Sequence, residues 1–305
     1  MQYNYTCNVK DDDKLRESFN ELTRKVFGFD FVDWYETGHW QDKYIPHVLV
    51  DNGKVVSNVS VNLMQFMVNG EKKNYIQIGT VMTDPDYRGQ GLNRYIMEKI
   101  LEEYRGKTDG IYLFGNDSVL EYYPKFGFRP QKEYEYKLCL SNDAKQENSA
   151  CLNKCRIEKV DLADEESSRK LYAAITECDG LAVGQNPNDG FFMCDNLGLY
   201  QFWLAAEFAS NLYYVPEAEA YVIAEVTEKT LLVHQIFGRN EVDMEKLADA
   251  FGAEITEVRL AFTPAEKKAY EEREYKEEDC TLFVMGEQLE AVLEERMKFP
   301  IMSHA

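Results

Sequence analysis

Apolar side chains first fall into a regular pattern at Leu15, Phe19, Leu22 and Val26, a spacing that puts them on one face of a helix over residues 14–27. A stretch dense in aromatic residues follows (Phe29, Phe31, Trp34, Tyr35, Trp40), too irregular for a strand and too apolar for a solvated loop. From Ile45 the period changes. Residues 45–50, 54–68 and 74–83 are strand-like runs separated by Asp51-Asn52-Gly53 and Asn69-Gly70. Asn-Gly between β-formers marks a tight hairpin, so an antiparallel meander is predicted. The helical period returns with Leu92, Tyr95, Ile96, Ile100, Leu101 and Tyr104, a helix with one buried stripe. Residues 110–114 predict the next strand, 118–125 a short helix and 134–140 a further strand.

The polar segment 141–150 interrupts this series and reads as a linker. Beyond it the order of elements resembles a second copy: strand 156–160, helices 165–177 and 199–208, hairpin strands 220–226 and 230–237, helix 242–251, strand 257–262, helix 265–275 and strand 280–285. A chain of 305 residues exceeds the usual size of one core. The expected fold class is therefore α/β (α+β), a mixed, mostly antiparallel central sheet flanked by helices, in tandem, with units at 1–142 and 151–305.

Composition narrows this picture only slightly. Hydrophobic residues at 45% and charged residues at 29% are ordinary for a globular chain. Asp11, Asp12 and Asp13 stand where a secretory signal needs basic and apolar residues, and no run approaches the roughly 18 apolar residues of a membrane span, so a cytoplasmic protein without membrane contact is expected. The seven cysteines are odd in number and scattered, which argues against a disulfide framework. Cys151 and Cys155 are four apart, but with only four histidines in the chain no metal site is expected. The net charge of −20 is divided unevenly, −4 over residues 1–150 and −16 over 151–305. So acidic a second half argues against nucleic acid as a partner and reads as a solvated, solubilising surface.

One segment carries chemistry. After the strand ending at Thr83, Pro85 blocks its continuation, and Gly89 and Gly91 turn the chain into the helix that starts at Leu92. The first amides of a helix lack intrahelical acceptors and sit at the positive end of the macrodipole, so the turn is a candidate anion site. A dinucleotide fingerprint fails, because Arg94 stands at the third glycine and the preceding strands read as antiparallel; the Gly-Lys-Ser/Thr ending of a nucleotide P-loop is absent. Some 30 residues later comes Glu121-Tyr122-Tyr123-Pro124-Lys125-Phe126-Gly127-Phe128.

These two motifs in this order resemble the GNAT superfamily of N-acetyltransferases, whose hallmark is Arg/Gln-x-x-Gly-x-Gly/Ala at a helix start followed by a Tyr-x-Lys-x-Gly-Phe-like segment. Arg88 and Gly91 match the first element, and Tyr123, Lys125 or Phe126, Gly127 and Phe128 match the second; Asn93 departs from the small residue of the sixth position. The resemblance covers residues 14–140 and implies acetyl-CoA as co-substrate. By it the backbone of Val81, Met82 and Thr83 would pair with the pantetheine arm, and Arg88, Gly89, Gln90, Gly91, Leu92 and Asn93 would cradle the pyrophosphate. Asn116 would touch the arm, and Tyr123 would be the general acid. The acceptor would be a primary amine of a small molecule or peptide, attacking the thioester directly.

An amine that is protonated at neutral pH calls for a base, for which Asp33, Glu36 and His39 are candidates without a motif. Trp34 and Trp40 read either as an aromatic wall for the amine or as core. In the second half the corresponding loop, residues 233–241, has one glycine and no Arg-x-x-Gly, so this unit looks like a degenerate partner. That pairing, and Tyr-x-x-Phe-Gly-Phe at 123–128, are similar to the Eis-like multi-domain group. Two other readings remain, a non-catalytic acyl-CoA-binding or regulatory module and a scaffold whose glycine turn binds nothing. The sequence specifies neither the acceptor nor an oligomeric state.

Overall fold

The computed structural model describes residues 3–68, 70–140, 155–179 and 186–304. The expected linker at 141–150 and Cys151 of the Cys151/Cys155 pair lie outside the described residues. The first strand, β1 (Asn4–Thr6), precedes helix α1 (Asp13–Phe27). Asp12 caps α1 by accepting from the Lys14 and Leu15 amides, and Gly28, at φ 82°, ends it in the left-handed conformation a glycine tolerates. A short helix, α2 (Val32–Glu36), carries part of the aromatic stretch. The predicted meander follows as β2 (Tyr44–Asp51), β3 (Lys54–Val68) and β4 (Glu71–Thr83). Helix α3 (Leu92–Tyr104) then crosses over to β5 (Gly110–Gly115), which lies parallel to β4.

This sheet buries both faces, and its central strand β3 is buried along nearly its whole length, polar residues such as Asn58 and Ser60 included. Phe19 and Leu22 of α1 pack with Val48, Val50, Val55 and Met82 on one face. On the other, Leu92, Ile96, Met97 and Ile100 of α3 pack with Leu49, Val56, Val61, Ile76, Ile78 and Leu113. The region 118–125, expected as a short helix, instead makes two 3-10 turns, Asp117–Val119 and Tyr123–Phe126, the second holding Pro124, which cannot donate to a longer helical ladder.

Two short strands follow, β6 (Arg129–Gln131) and β7 (Glu133–Cys139). Beyond the linker come β8 (Glu158–Lys159), the helix Glu165–Asp179, β9 (Phe191–Cys194), the helix Leu197–Trp203 and β10 (Leu212–Val215). A hairpin of β11 (Ala220–Thr227) and β12 (Thr230–Phe237) leads through the helix Met244–Phe251 to β13 (Glu257–Leu260), parallel to β12. The chain ends with β14 (Glu271–Tyr275), β15 (Thr281–Met285) and the helix Glu287–Glu294. Apart from β4/β5 and β12/β13, the recorded strand pairs are antiparallel, as expected for the mixed sheets.

The two sheets do not part at the linker. One is ordered β1-β2-β3-β4-β5-β15-β6 with β9 added to β3, and the other β14-β7-β13-β12-β11-β10-β8. Strand β7, from the first half, pairs with β13 and β14, while β15, from the second half, sits between β5 and β6. The physical reason lies in burial: Leu282, Phe283 and Val284 of β15 are all buried, so this strand needs cover on both faces and finds it beside β5.

The expected helix 265–275 is corrected to the edge strand β14, whose charged residues pair across to β7, with Arg273 against Glu135. Helix-forming side chains yield there to cross-strand pairing. Among the described residues no helix is long and apolar enough to cross a membrane, and no group of three or more His, Cys, Asp or Glu side chains gathers to hold a metal ion.

Candidate active site

Parallel pairing between β4 and β5 runs from Tyr75↔Gly110 to Ile78↔Leu113 and is not recorded further. Just beyond, β4 bulges. Asn58 faces Met82 and Ser60 faces Gly79, so Thr80 and Val81 together oppose Val59. Thr80 takes a left-handed φ of 47°, an outlier for a β-branched residue, and a bulge of this kind bends its strand away from its neighbour. The two strands therefore diverge and open a cleft of about 800 Å³ between residues 78–83 and 114–116.

A hydrogen-bonded relay holds the bulge. The Asn58 amide Nδ2 donates to the Thr80 carbonyl (2.7 Å) and to Ser60 Oγ (2.9 Å). Ser60 Oγ donates to the Tyr44 hydroxyl (2.9 Å), which donates to Thr80 Oγ1 (2.8 Å). With each hydroxyl giving its proton to the next, the Thr80 hydroxyl proton is left to be offered at the cleft.

The turn out of β4 is anchored by Asp84, whose buried carboxylate receives Lys25 (2.7 Å), Lys54 (2.6 Å) and the Asp86 amide (3.1 Å). Burial alone would raise its pKa, but the hydrogen bonds from Lys25, Lys54 and Asp86 outweigh it and hold the carboxyl well below the usual range. Gly89 (φ 77°) and Gly91 (φ 74°) then take left-handed conformations, and no atom lies within 4 Å of where a Cβ would stand on either. Gly91 is the N-cap of α3, with no side chain bonded to the first amides of the helix. Asn93, the departure from the motif, turns its Oδ1 back to accept from Ser57 Oγ, so its side chain is held by β3. The cleft thus meets bare glycine backbone and an open helix N-terminus, with Arg88 and Arg94 beside them.

Across the cleft, Tyr123 stands on the second 3-10 turn with its ring buried against Phe283 and Phe128. Gly115 makes room for it: a Cβ there would stand 3.0 Å from the Tyr123 ring. Burial pushes the Tyr123 phenol up, so it stays protonated at neutral pH. Among the described residues no hydrogen bond engages its hydroxyl, whereas the neighbouring Tyr122 hydroxyl is buried without a partner.

Of the residues singled out in the sequence, Val81, Met82, Thr83, Arg88, Gly89, Gly91, Leu92, Asn93, Asn116 and Tyr123 line this one cleft. Gln90 does not; its Oε1 accepts from the Tyr3 hydroxyl (2.8 Å), which leaves only its backbone for the cradle. Asp33 and Glu36 are exposed, His39 packs on Tyr172, and none of the three lines the cleft. Trp34 and Trp40 stack (5.6 Å between rings), and their indole N–H groups donate to the carbonyls of Gly198 and Tyr44. Both belong to the aromatic core, and Trp34 also lines a second hollow beside it.

Sequence reasoning missed Thr80, Asp84, Phe114 and Tyr122. Asp84-Pro85 is a turn signal in its own right, whereas a bulge at Thr80 is set by the partner strand and leaves no local mark.

Residues 10–131 match the family model described as an acetyltransferase (GNAT) domain. A curated relative, the putative glycylpeptide N-tetradecanoyltransferase of Melanoplus sanguinipes entomopoxvirus, is 28% identical over 83 residues, which are 27% of this chain and 28% of that protein. The chain thus matches well under a third of that relative's length. Among solved structures, a GCN5-related N-acetyltransferase from Kribbella flavida aligns with a TM-score of 0.55 at 17% identity, covering 95% of this chain and 71% of that one. Eis1 from Mycobacterium abscessus aligns with a TM-score of 0.55 at 12% identity, covering 92% and 72% respectively. At these identities the structural matches speak for the fold, and they run through both sheets. The cleft-bearing segment, residues 10–131, is thus similar to a GNAT acetyltransferase domain, and the fold around it is that of GCN5-related N-acetyltransferases.

Proposed function

We propose that the protein is a cytoplasmic enzyme that transfers an acetyl group from acetyl-CoA to a primary amine of a small molecule or peptide, with Tyr123 as general acid. The observation that supports this most is that an uncapped helix N-terminus and a buried phenol line the same cleft. Acetyl-CoA supplies an activated acyl carbon with a thiol leaving group: the amine nitrogen forms the new C–N bond, the C–S bond breaks, sulfur takes a proton from Tyr123, and the proton lost by nitrogen restores the phenol. The amides of Leu92 and Asn93 and the backbone of Gly89 and Gly91 hold the pyrophosphate, with Arg88 beside them. The edge of β4 at Val81, Met82 and Thr83, which β5 leaves after Leu113, pairs with the pantetheine arm as an added strand would, and Asn116 faces that arm from the other side.

Thr80 offers its hydroxyl proton to the oxygen on which negative charge develops. Tyr123 gives its proton to the leaving sulfur; burial makes the phenol a weaker acid but keeps it protonated at neutral pH, so a proton is in place for the departing thiolate. The second unit, residues 151–305 apart from β15, serves as a partner that binds no coenzyme of its own.

Calorimetry with acetyl-CoA and thiol release over a panel of amines test the reading together. Tyr123→Phe is expected to lower turnover about 100-fold while leaving acetyl-CoA affinity intact. Thiol release unchanged in that variant removes Tyr123 from the mechanism, and tight binding without thiol release under any amine leaves an acyl-CoA-binding module instead.

A further inference from the structure

A second hollow, of about 370 Å³, opens on the other side of the bulge and shares Thr80 with the cleft. Six aromatic side chains line it: Phe29, Phe31, Trp34, Tyr44, Phe202 and Trp203. Its volume falls at the small end of ligand pockets. Phe202 and Trp203 come from the second half, and that wall is pinned at both ends. The Trp34 indole donates to the Gly198 carbonyl (2.9 Å), and the Trp203 indole to the His304 carbonyl (2.8 Å). A Cβ on Gly198 would stand 2.5 Å from the His39 carbonyl oxygen, so the glycine permits the close approach of the two halves.

The mouth of the hollow is also apolar. Phe27 lines the cleft and Phe29 the hollow; their rings are 6.1 Å apart, and both are more than 40% exposed. Adjacent exposed phenylalanines at the rim of an open hollow are surface that an apolar ligand would cover.

Charge separates the two spaces. The cleft carries Arg88, Arg94 and the helix amides, whereas the ionisable lining of the aromatic hollow is the carboxylate Asp30 with the phenol Tyr44. Asp30 is held ionised, its pKa lowered by the hydrogen bond from the Val32 amide and by Arg24. Arg24 is shared between Asp30 (2.5 Å) and Glu17 (2.8 Å), so the three groups together carry a net negative charge. A cation with an aromatic body therefore suits this hollow: the rings take the body, their faces attract an ammonium, and the carboxylate group favours positive charge. A fatty acyl tail would gain from the rings and nothing from the carboxylate.

The geometry points to this hollow as the acceptor site, taking a small aromatic primary amine, a ring on a short alkyl ammonium chain, whose nitrogen reaches the cleft at Thr80. The proposal deepens the acyl-transfer reading and rests on it. The second unit then has a task that needs no coenzyme, since it supplies one side of the specificity wall, with Leu199, Phe202, Trp203 and Ala206.

The test is thiol release from acetyl-CoA with 2-phenylethylamine, tryptamine, spermidine and hydroxylamine, the last small enough to need no pocket. The aromatic amines are expected to give kcat/KM at least tenfold above spermidine. Ala206→Trp, which fills the hollow from an exposed position of the helical stretch Leu204–Phe208, should raise KM for 2-phenylethylamine at least tenfold relative to hydroxylamine, and Phe202→Ala should move the same ratio in the same direction without adding bulk.

Spermidine outperforming the aromatic amines while hydroxylamine reacts would overturn the proposal and leave acyl transfer standing. Selective loss of decanoyl-CoA use in Ala206→Trp, with the amine ratio unmoved, would give the hollow to an acyl tail and equally overturn it. No thiol release with any amine, hydroxylamine included, would sink both readings together.

Discussion

The molecule contains the same crossover twice, and the two copies part in a way that explains why one carries an open cleft. In the first, β4, α3 and β5 make a parallel pair over Tyr75–Ile78 and Gly110–Leu113. In the second, β12, the helix Met244–Phe251 and β13 make one over Thr230–Val233 and Glu257–Leu260. The second also keeps the bulge: Gln235 faces Ile223 and Val233 faces Ala224, which leaves His234 as the extra residue, held by Glu225.

What differs is what occupies the divergence. In the second copy the chain fills its own gap. Asp189 forms a bridge with Pro264 and accepts from the Gln235 amide (3.2 Å), the Gly190 amide donates to the Thr263 carbonyl (2.8 Å), and Asn188 Oδ1 accepts from the Val242 amide (2.9 Å). The helix end is closed as well, because the Asp243 side chain accepts from the Glu245 and Lys246 amides (3.1 Å each). Even the glycine serves another end: a Cβ on Gly238 would stand 2.5 Å from that of Ala220, so it is there for packing. On the proposed reading, a splayed pair of strands serves as a coenzyme cleft only when both the gap and the helix N-terminus are left open.

The comparison breaks most directly if the first helix is given the second one's cap. Gly91→Asp puts a carboxylate on the α3 amides in a left-handed backbone position that an aspartate adopts only under strain. The lost amide contacts to a charged phosphate, at about 1.5–3 kcal/mol each, set the scale. Acetyl-CoA affinity by calorimetry should fall roughly 100-fold, corresponding to about 2.7 kcal/mol. An affinity within error of the parent would mean that the helix end is not the anion site, and the contrast between the two copies would lose its meaning.

The geometry of the first crossover was legible because it is local. Pro85, Gly89 and Gly91 act on their own backbone, and Tyr123 follows at a motif distance, so one stretch of chain carries the turn, the helix start and the phenol. That the second copy lacks Arg-x-x-Gly was legible for the same reason.

What fills it was not legible, since Asn188 and Asp189 lie some 50 residues from the turn they close. The exchange of β7 and β15 between sheets escaped for a related reason. Alternation of side chains tells that a strand exists and which faces it buries, not which edge it joins. At β14 the local signal misled outright: Glu271-Glu272-Arg273-Glu274 favours a helix in isolation, and the pairing to β7 that overrides it is non-local.

A smaller effect sharpens the account of the filled copy. Asp189 is fully buried, and burial raises its carboxyl to about 8, against hydrogen bonds from Phe191 and Gln235 that pull it down. A carboxyl whose folded value lies above its unfolded one of about 3.9 binds its proton more tightly in the native state, so stability is full below the unfolded value and is lost as pH rises toward 8. The protein is thus expected to lose thermal stability between about pH 4 and 8 by this group. Asp189→Asn should flatten that slope and gain a few degrees of melting temperature at pH 8, about 1 kcal/mol or more. A slope of stability with pH identical in the two proteins would show that Asp189 is not held neutral by the packing of its segment.

The smallest change separates the two barriers in the second copy. Asp243→Ala removes the cap and should cost about 1 kcal/mol of stability, the usual worth of such a side chain at a helix start. It leaves residues 186–190 in the gap, held by Gln235, Thr263 and Val242. Acetyl-CoA titrated against this variant should therefore bind at one site per chain, as in the parent. A second site appearing on loss of the cap would mean that the helix end alone was the barrier and that the inserted segment yields to a ligand. One site retained assigns the silence of this copy to the chain that fills it, because an opened helix N-terminus beside an occupied gap has its amides available and no room for the arm that a coenzyme must lay along the strand.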